Sequence, residues 1–483
     1  MFRKYICHTA FVLSGLLLSA CRDKLELRPE TAIDSHDAVN GETNLTLATS
    51  GNYSLLNNFN YITAYYHLVE SPADNTEATG IFNPGGTRDF EAYSYNHSPA
   101  LSNPASVYTN AYKLLRGVNN VIVNVPDNAA AALMQLKGEN LFMRALAHYT
   151  LVSLFGRPYI QQNGNNPGIV IADKPTPPLY RPEKRNTVKE VYDLMIADLL
   201  AARTLMTTAR SETAYATRDA ANAMLSALYL NMGAYAKSIQ YANEVINSGK
   251  YELTRGTAFQ QYFAGDHSAG EKETIFCLRQ LDGTGSGFYY YNQSYTVEKF
   301  AAVSPPLLAL LKEGKNDLRL GFYKVLTTTS GNTYTFTTKF IQNPAANPTA
   351  KVSSPPLFRL AGLYLDRAEA NAKLGNHQAA LDDINLIRQR AGLSGDDLYS
   401  LTNLHGRADV LSVVLDERRI ELAFEFGHRR EDLLRNNLPM IRTYGKQGIP
   451  GSNLTVQTND KRVVYFLPQN ETNGVTNDLQ QNP

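Results

Sequence analysis

The chain has 483 residues, 43% of them hydrophobic, with 46 basic residues against 45 acidic ones and a formal net charge of +1. That balance excludes the strong basic excess of a nucleic-acid binder, so no nucleic-acid partner is expected. The length supplies apolar material for one large core, or for two tightly fused domains.

The N-terminus carries Arg3 and Lys4, then a mainly apolar run from Tyr5 to Leu18, then Leu18-Ser19-Ala20-Cys21. A charged start, an apolar stretch too short to span a bilayer and a small-residue cleavage site predict a signal peptide over residues 1–20. A cysteine directly after Leu-Ser-Ala looks like a bacterial lipobox, which makes Cys21 the expected lipidation site and the lipid anchor the expected link to a membrane. Removal of Arg3 and Lys4 leaves 44 basic residues against 45 acidic ones, a net charge of −1. Cys7 leaves with the signal and Cys21 takes lipid, so Cys277 is the one free thiol expected. That excludes an intrachain disulfide framework and thiolate metal clusters.

Beyond a polar tether, Arg22 to Asn40, residues 44–66 show mostly helical spacing, whereas Ser71 to Pro104 has the Pro, Gly, Asn and Thr content of surface loops. Leu133, Leu136, Leu141, Ala145, Tyr149 and Val152 recur at three- and four-residue steps, predicting one or two amphipathic helices that stop at Gly156 and Pro158. Thr187-Val188-Lys189-Glu190 forms a capping box, so a helix is expected from Val188 to about Leu205. Two helices follow in residues 218–253, where Tyr229, Gly233 and Tyr235 stand at tetratricopeptide spacing. A second pair spans residues 357–391 and turns at Leu374-Gly375-Asn376. Between these pairs, residues 256–356 read as loops and short strands, with a β-branched run from Val325 to Phe340. Helix is expected again from Asp409 to Asn436.

Several of these segments together resemble the SusD/RagB family, lipid-anchored partners of TonB-dependent transporters in the Bacteroidetes. They include CRDKLELRPE at Cys21, GENLFMRALAHYTLVSLFG at 138–156, LSALYLNMGAYAKSIQYANEVINSGKYEL at 225–253, PLFRLAGLYLDRAEANAKLGN at 356–376 and LDERRIELAFEFGHRREDLLR at 415–435. The resemblance implies a mostly α fold, with tetratricopeptide-like helix pairs in a right-handed framework and an irregular loop and short-strand region facing ligand. It divides the chain into the signal at 1–20, an N-terminal part at 21–255 and a C-terminal part at 256–483. It also implies a non-enzymatic outer-membrane lipoprotein, facing the cell exterior, that captures glycans and delivers them to a SusC-like transporter without a cofactor. The alternatives are a peptide-capturing member of the family, a surface hydrolase, or a helical scaffold that binds only protein. This chain departs from the family in having Arg430-Glu431 where an aromatic pair is common, and in having no Trp.

With 29 Tyr, 19 Phe and no Trp, any aromatic platform must be built from Tyr or Phe. Gly287-Phe288-Tyr289-Tyr290-Tyr291-Asn292-Gln293-Ser294-Tyr295 is the expected one, because an extended segment would aim Tyr289, Tyr291, Gln293 and Tyr295 to one side. Aromatic faces beside an amide suit a sugar ring, although the same run could pack tyrosines onto the helices. Asp74, Asn75, Arg88, Tyr95 and Asn96 form a second candidate group, polar and aromatic residues on one loop-rich stretch. Asx turns capping the loops would use the same residues. The charges Arg418, Arg419, Glu421, Glu425, Arg429 and Arg430 are read as solvated or helix-bridging ion pairs rather than catalytic acids. Zinc-protease, nucleophile-elbow and phosphate-loop motifs are absent, and no catalytic or metal-binding residue is expected.

Overall fold

The computed structural model describes residues 39–80, 87–175, 184–210, 212–264, 267, 271–279, 301–327, 331–339, 354–473 and 479–483. Cys21, Tyr289, Tyr291, Gln293 and Tyr295 lie outside the described residues, as does the Arg88 side chain.

Two helices, α1 (Glu42–Leu56) and α2 (Ala64–Glu70), are joined through a π-helical turn at Phe59–Thr63. The stretch expected to be loops contains a helix, α3 (Thr87–Ser94), whose Ala92 and Tyr93 are buried. Next come α4 (Ser102–Asn124) and α5 (Ala131–Phe155), the latter a single helix. Most of α5 is buried on every side, and that is tolerable because its polar groups are paired. Asn140 accepts from Asn52 at 2.8 Å, Glu139 accepts from Tyr53 at 3.1 Å, and Arg144 forks onto Asp198 at 2.8 and 2.6 Å.

The capping box forms as its spacing predicts. Glu190 N donates to the Thr187 hydroxyl at 3.2 Å and the Glu190 carboxylate accepts from Thr187 N at 2.7 Å, starting α6 (Val188–Leu205). Helices α7 (Arg218–Asn231) and α8 (Tyr235–Ile246) turn at Gly233, whose φ of 76° suits a residue without Cβ. Their Tyr229 and Tyr241 rings stack at 5.5 Å. After α9 (Pro305–Leu311), the second pair, α10 (Leu360–Lys373) and α11 (His377–Arg390), turns at Gly375. Arg367 on α10 joins the two pairs, gripping Asp383 of α11 at 2.9 and 2.6 Å and Asn243 of α8 at 2.6 Å. The result is a stack of helix hairpins, the tetratricopeptide-like arrangement expected.

The expected C-terminal helix is two helices, α12 (Val410–Glu421) and α13 (His428–Arg435). Phe424 and Phe426 adopt φ of 65° and 49° between them, conformations that L residues hold only when packing fixes them. Both rings are buried, and Phe426 lies 5.1 Å from the Tyr65 ring and 5.7 Å from the Tyr66 ring.

Among the described residues eight short strands pair in antiparallel twos: β1 (Thr76–Ala78) with β3 (Ala301–Val303), β2 (Thr274–Cys277) with β6 (Pro356–Arg359), β4 (Tyr323–Thr327) with β5 (Thr333–Thr337), and β7 (Met440–Arg442) with β8 (Leu454–Val456). All but β1 follow Gly256, and the β4–β5 hairpin occupies much of the β-branched run. The main core draws on both ends of the chain, from Tyr53 to Leu479, while a smaller cluster fills the space among α10, α11 and α12. No described helix is long and apolar enough to cross a membrane.

Candidate functional site

Strand β1 carries the chain from the Asp74–Asn75 stretch into a pairing with β3. It begins directly after Asp74 and Asn75, and Thr76 pairs with Val303, Glu77 with Ala302 and Ala78 with Ala301. Ser304 seals the end of the ribbon, its N–H donating to Asn75 O at 2.8 Å and its hydroxyl to Asp74 O at 2.7 Å. In sequence, Tyr295 stands six residues before Ala301.

The side chains of Asp74 and Asn75 are turned inward, 6% and 0% exposed. Arg429 forks onto the Asp74 carboxylate at 2.7 and 2.9 Å, and Arg419 donates to Asn75 Oδ1 at 2.8 Å. Burial alone would raise the Asp74 carboxyl, but Arg429 and Arg419 outweigh it and hold the group down at about 2. These two residues clasp the ribbon to α12 and α13 rather than face an open surface. Tyr95 is half-buried with φ of 56°, and its hydroxyl donates to Pro72 O at 3.0 Å. Asn96 is exposed.

The exposed rim of the ribbon is supplied by residues that the sequence did not single out. Strand β5 lies beside β3, and the Tyr334 hydroxyl on it donates to Thr79 O at 3.3 Å. Lys446 is exposed and its ammonium stands 5.3 Å from the Tyr334 ring centre. Half-buried Glu77 has its carboxyl pushed up to about 7 by burial, with Lys446 opposing the shift. Tyr444 donates to Asp74 O at 2.9 Å and holds the Lys446 loop against β1. The rim thus offers an aromatic face, an ammonium and a carboxyl poised between donor and acceptor forms. Tyr334 does fall within the β-branched run, but Glu77 and Lys446 sit in polar loop sequence with no motif to mark them.

Beneath this face, the charged stretch of residues 415–435 is mostly buried. Glu421 receives Arg359 at 2.8 Å, Arg319 at 3.2 Å and a short contact from Arg390. Glu425 receives Arg359 at 2.7 Å and Lys339 at 2.6 Å. Arg418 and Arg435 share Glu369 and Asp432 with Asp366 alongside. Burial opposes ionisation of Glu421, yet Arg390, Arg359 and Arg319 hold it far below the usual carboxylate range. Carboxylates locked in this way are bridges between elements. Arg430, at the departure from the family pattern, is buried and donates to Ser153 O at 3.0 Å and Val463 O at 2.6 Å. Main-chain carbonyls thereby take up a guanidinium at this position. Among the described residues no cluster of His, Cys, Asp and Glu is arranged to hold a metal.

A family model described as starch-binding and associating with outer membrane matches residues 27–230, and one described as the SusD family matches residues 321–483. SusD-like protein P2 of Formosa agariphila is 24% identical over 458 residues, covering 86% of this chain and 88% of its own length. Among solved structures, a SusD superfamily protein of Bacteroides thetaiotaomicron superposes with a TM-score of 0.80 at 28% identity, covering 91% of this chain and 99% of that one. A putative sugar binding protein of Bacteroides vulgatus gives 0.76 at 24% identity over 91% and 98% of the two chains, a likeness of fold. The ordered match of both family models, together with the stacked helix hairpins, makes this chain a member of the SusD/RagB family.

Proposed function

We propose that the protein captures glycans at the β1–β3 face and passes them to a SusC-like, TonB-dependent transporter, held to the outer membrane through lipid on Cys21 and facing the cell exterior. The observation that carries the reading is the β1–β3 pairing, which sets the Asp74–Ala78 stretch beside the strand that the Tyr289–Tyr295 segment leads into. Tyr334, Glu77 and Lys446 add an aromatic face and polar groups at the rim, a combination that stacks a sugar ring and takes its hydroxyls. The description of the family model over residues 27–230 points the same way in ligand and location. In this reading buried Asp74 and Asn75 support the face, and exposed Asn96 with Tyr289, Tyr291 and Tyr295 are the proposed contact groups.

Binding without catalysis fits this face, since the charge that acts on Glu77 is the Lys446 ammonium rather than a second carboxylate. The test is an array of glycans and peptides probed with the soluble form lacking residues 1–21. Retention of glycans supports the reading; retention of peptides alone, or release of cleaved sugar, overturns it.

A further inference from the structure

We propose, resting on the glycan reading of the β1–β3 face, that Glu77 is its specificity-determining residue: the ionised carboxylate accepts two adjacent hydroxyls of a neutral 1,4-linked glucan, and its proton leaves when the glycan binds.

Alternation along β1 singles this residue out. Thr76 and Ala78 turn their side chains inward and are buried, so Glu77 between them points to the other side of the strand, where it is half-buried. Across the ribbon it meets Ala302, whose methyl offers no donor. The donors nearby are spent on the start of the strand. Arg429 holds the Asp74 carboxylate, Arg419 holds Asn75 Oδ1, and the Tyr444 and Ser304 hydroxyls take Asp74 O. Among the described residues no hydrogen bond or ion pair reaches the Glu77 carboxyl.

The charges around it are few. Strand β3 brings Ala301, Ala302 and Val303, none of them titratable, while β5 brings Tyr334 and the loop after β7 brings Tyr444 and Lys446. Of these, the Lys446 ammonium is the group that acts on Glu77, and burial outweighs it, which leaves the carboxyl at about 7.

What such a carboxylate lacks is donors. Ionised, it has both oxygens free to accept, whereas the protonated form gives one of them to its own hydrogen. Two hydroxyls on adjacent ring carbons match the spacing of the two oxygens. A 1,4-linked glucan offers O2 and O3 on every ring, and its ring face can lie along Tyr334. Internal rings of a 1,3-linked glucan have no free adjacent pair. Because the hydroxyls favour the charged form, binding lowers the affinity of Glu77 for its proton and sends that proton to solvent.

The test is calorimetry on the full-length protein in detergent, with maltoheptaose and laminarihexaose as probes, repeated in buffers of different ionisation enthalpy to count protons. Maltoheptaose should release about 0.7 of a proton at pH 6.5 and bind about tenfold more tightly at pH 8 than at pH 6. Laminarihexaose should bind about tenfold more weakly at pH 8, having lost one charge-assisted hydrogen bond. Glu77→Gln should release no proton, hold one affinity across this range and fall about tenfold below the wild type at pH 8. Glu70 also titrates near neutrality but is buried against Gly427, so Glu70→Gln should leave the proton count unchanged. Binding without proton release, release undiminished in Glu77→Gln, release lost in Glu70→Gln, or laminarihexaose as tight as maltoheptaose would overturn this role of Glu77 and leave the glycan reading standing. If neither probe binds while the array retains other glycans, the ligand class falls alone; retention of no glycan removes both.

Discussion

Arg359 grips Glu425 through two parallel hydrogen bonds, Nε to Oε2 at 2.7 Å and Nη2 to Oε1 at 2.9 Å. Arg359 ends β6 at the entrance to α10, and Glu425 sits between the two phenylalanines that break the C-terminal helix. The pair thus ties the helix stack to the turn that aims Phe424 and Phe426 into the core. Arg359 also serves Glu421 and Glu273, so three buried carboxylates lose a partner when it is removed. Arg359→Ala should destabilise the fold by about 3–5 kcal/mol, the usual cost of leaving buried charge uncompensated. Urea unfolding followed by circular dichroism measures this, and a loss below about 1 kcal/mol would mean the network relaxes around the gap.

Glu70 behaves in the opposite way to Asp74. Its carboxyl is pushed up to about 8, by burial first and then by Glu425, against the pull of the Gly427 N–H and Lys339. The folded protein keeps this proton where the unfolded chain has lost it, so stability should fall as pH rises from about 4.5 to about 8. Glu70→Gln keeps an acceptor for Gly427 N, 2.6 Å away, and carries no charge to suppress. The variant should gain on the wild type by about 2–4 kcal/mol between pH 5 and pH 8. Parallel stability curves for the two proteins across that window would refute the assignment.

The helices were legible because their signals are local. Thr187 and Glu190 identify a helix start within four residues, and Gly233 and Gly375 mark turns that need φ above zero. What stayed hidden depends on distant partners. Gly427, with φ of 79°, is the one local signal for the break; that Phe424 and Phe426 share it depends on Tyr65 and Tyr66, more than 350 residues earlier, which receive Phe426, and on Arg359, which receives Glu425. Asp74 reads as a polar loop residue until Arg429 is seen across from it. The helix Thr87–Ser94 is short and flanked by Gly and Pro, so composition outweighed its spacing.

The proposed lipid attachment rests on one residue. Among the three cysteines of the sequence, Cys7 precedes the expected cleavage site and Cys277 is buried beside Thr213, which leaves Cys21 as the thiol proposed for acylation. Cys21→Ala should abolish incorporation of a fatty-acid probe during metabolic labelling and release the protein from the membrane fraction. Undiminished label on the variant would place the anchor elsewhere.

In the sequence the tyrosine segment precedes β3, and β3 pairs with the strand that carries Glu77. If Tyr289, Tyr291 and Tyr295 stack ligand beside Tyr334, each ring should contribute on the order of 1 kcal/mol beyond the area it covers. Tyr289→Ala/Tyr291→Ala should then weaken glycan binding roughly tenfold or more, since about 1.4 kcal/mol is a factor of ten. Tyr334 is anchored through its hydroxyl to Thr79 O, so Tyr334→Phe keeps the ring and should change affinity far less than Tyr334→Ala. The measurement is calorimetric titration against a glycan retained on the array, with circular dichroism to show that each variant is folded. Equal affinity in the folded double variant would return Tyr289 and Tyr291 to a packing role. A loss in Tyr334→Phe as large as in Tyr334→Ala would mean that the hydroxyl, and with it the Thr79 contact, matters more than the stacking face.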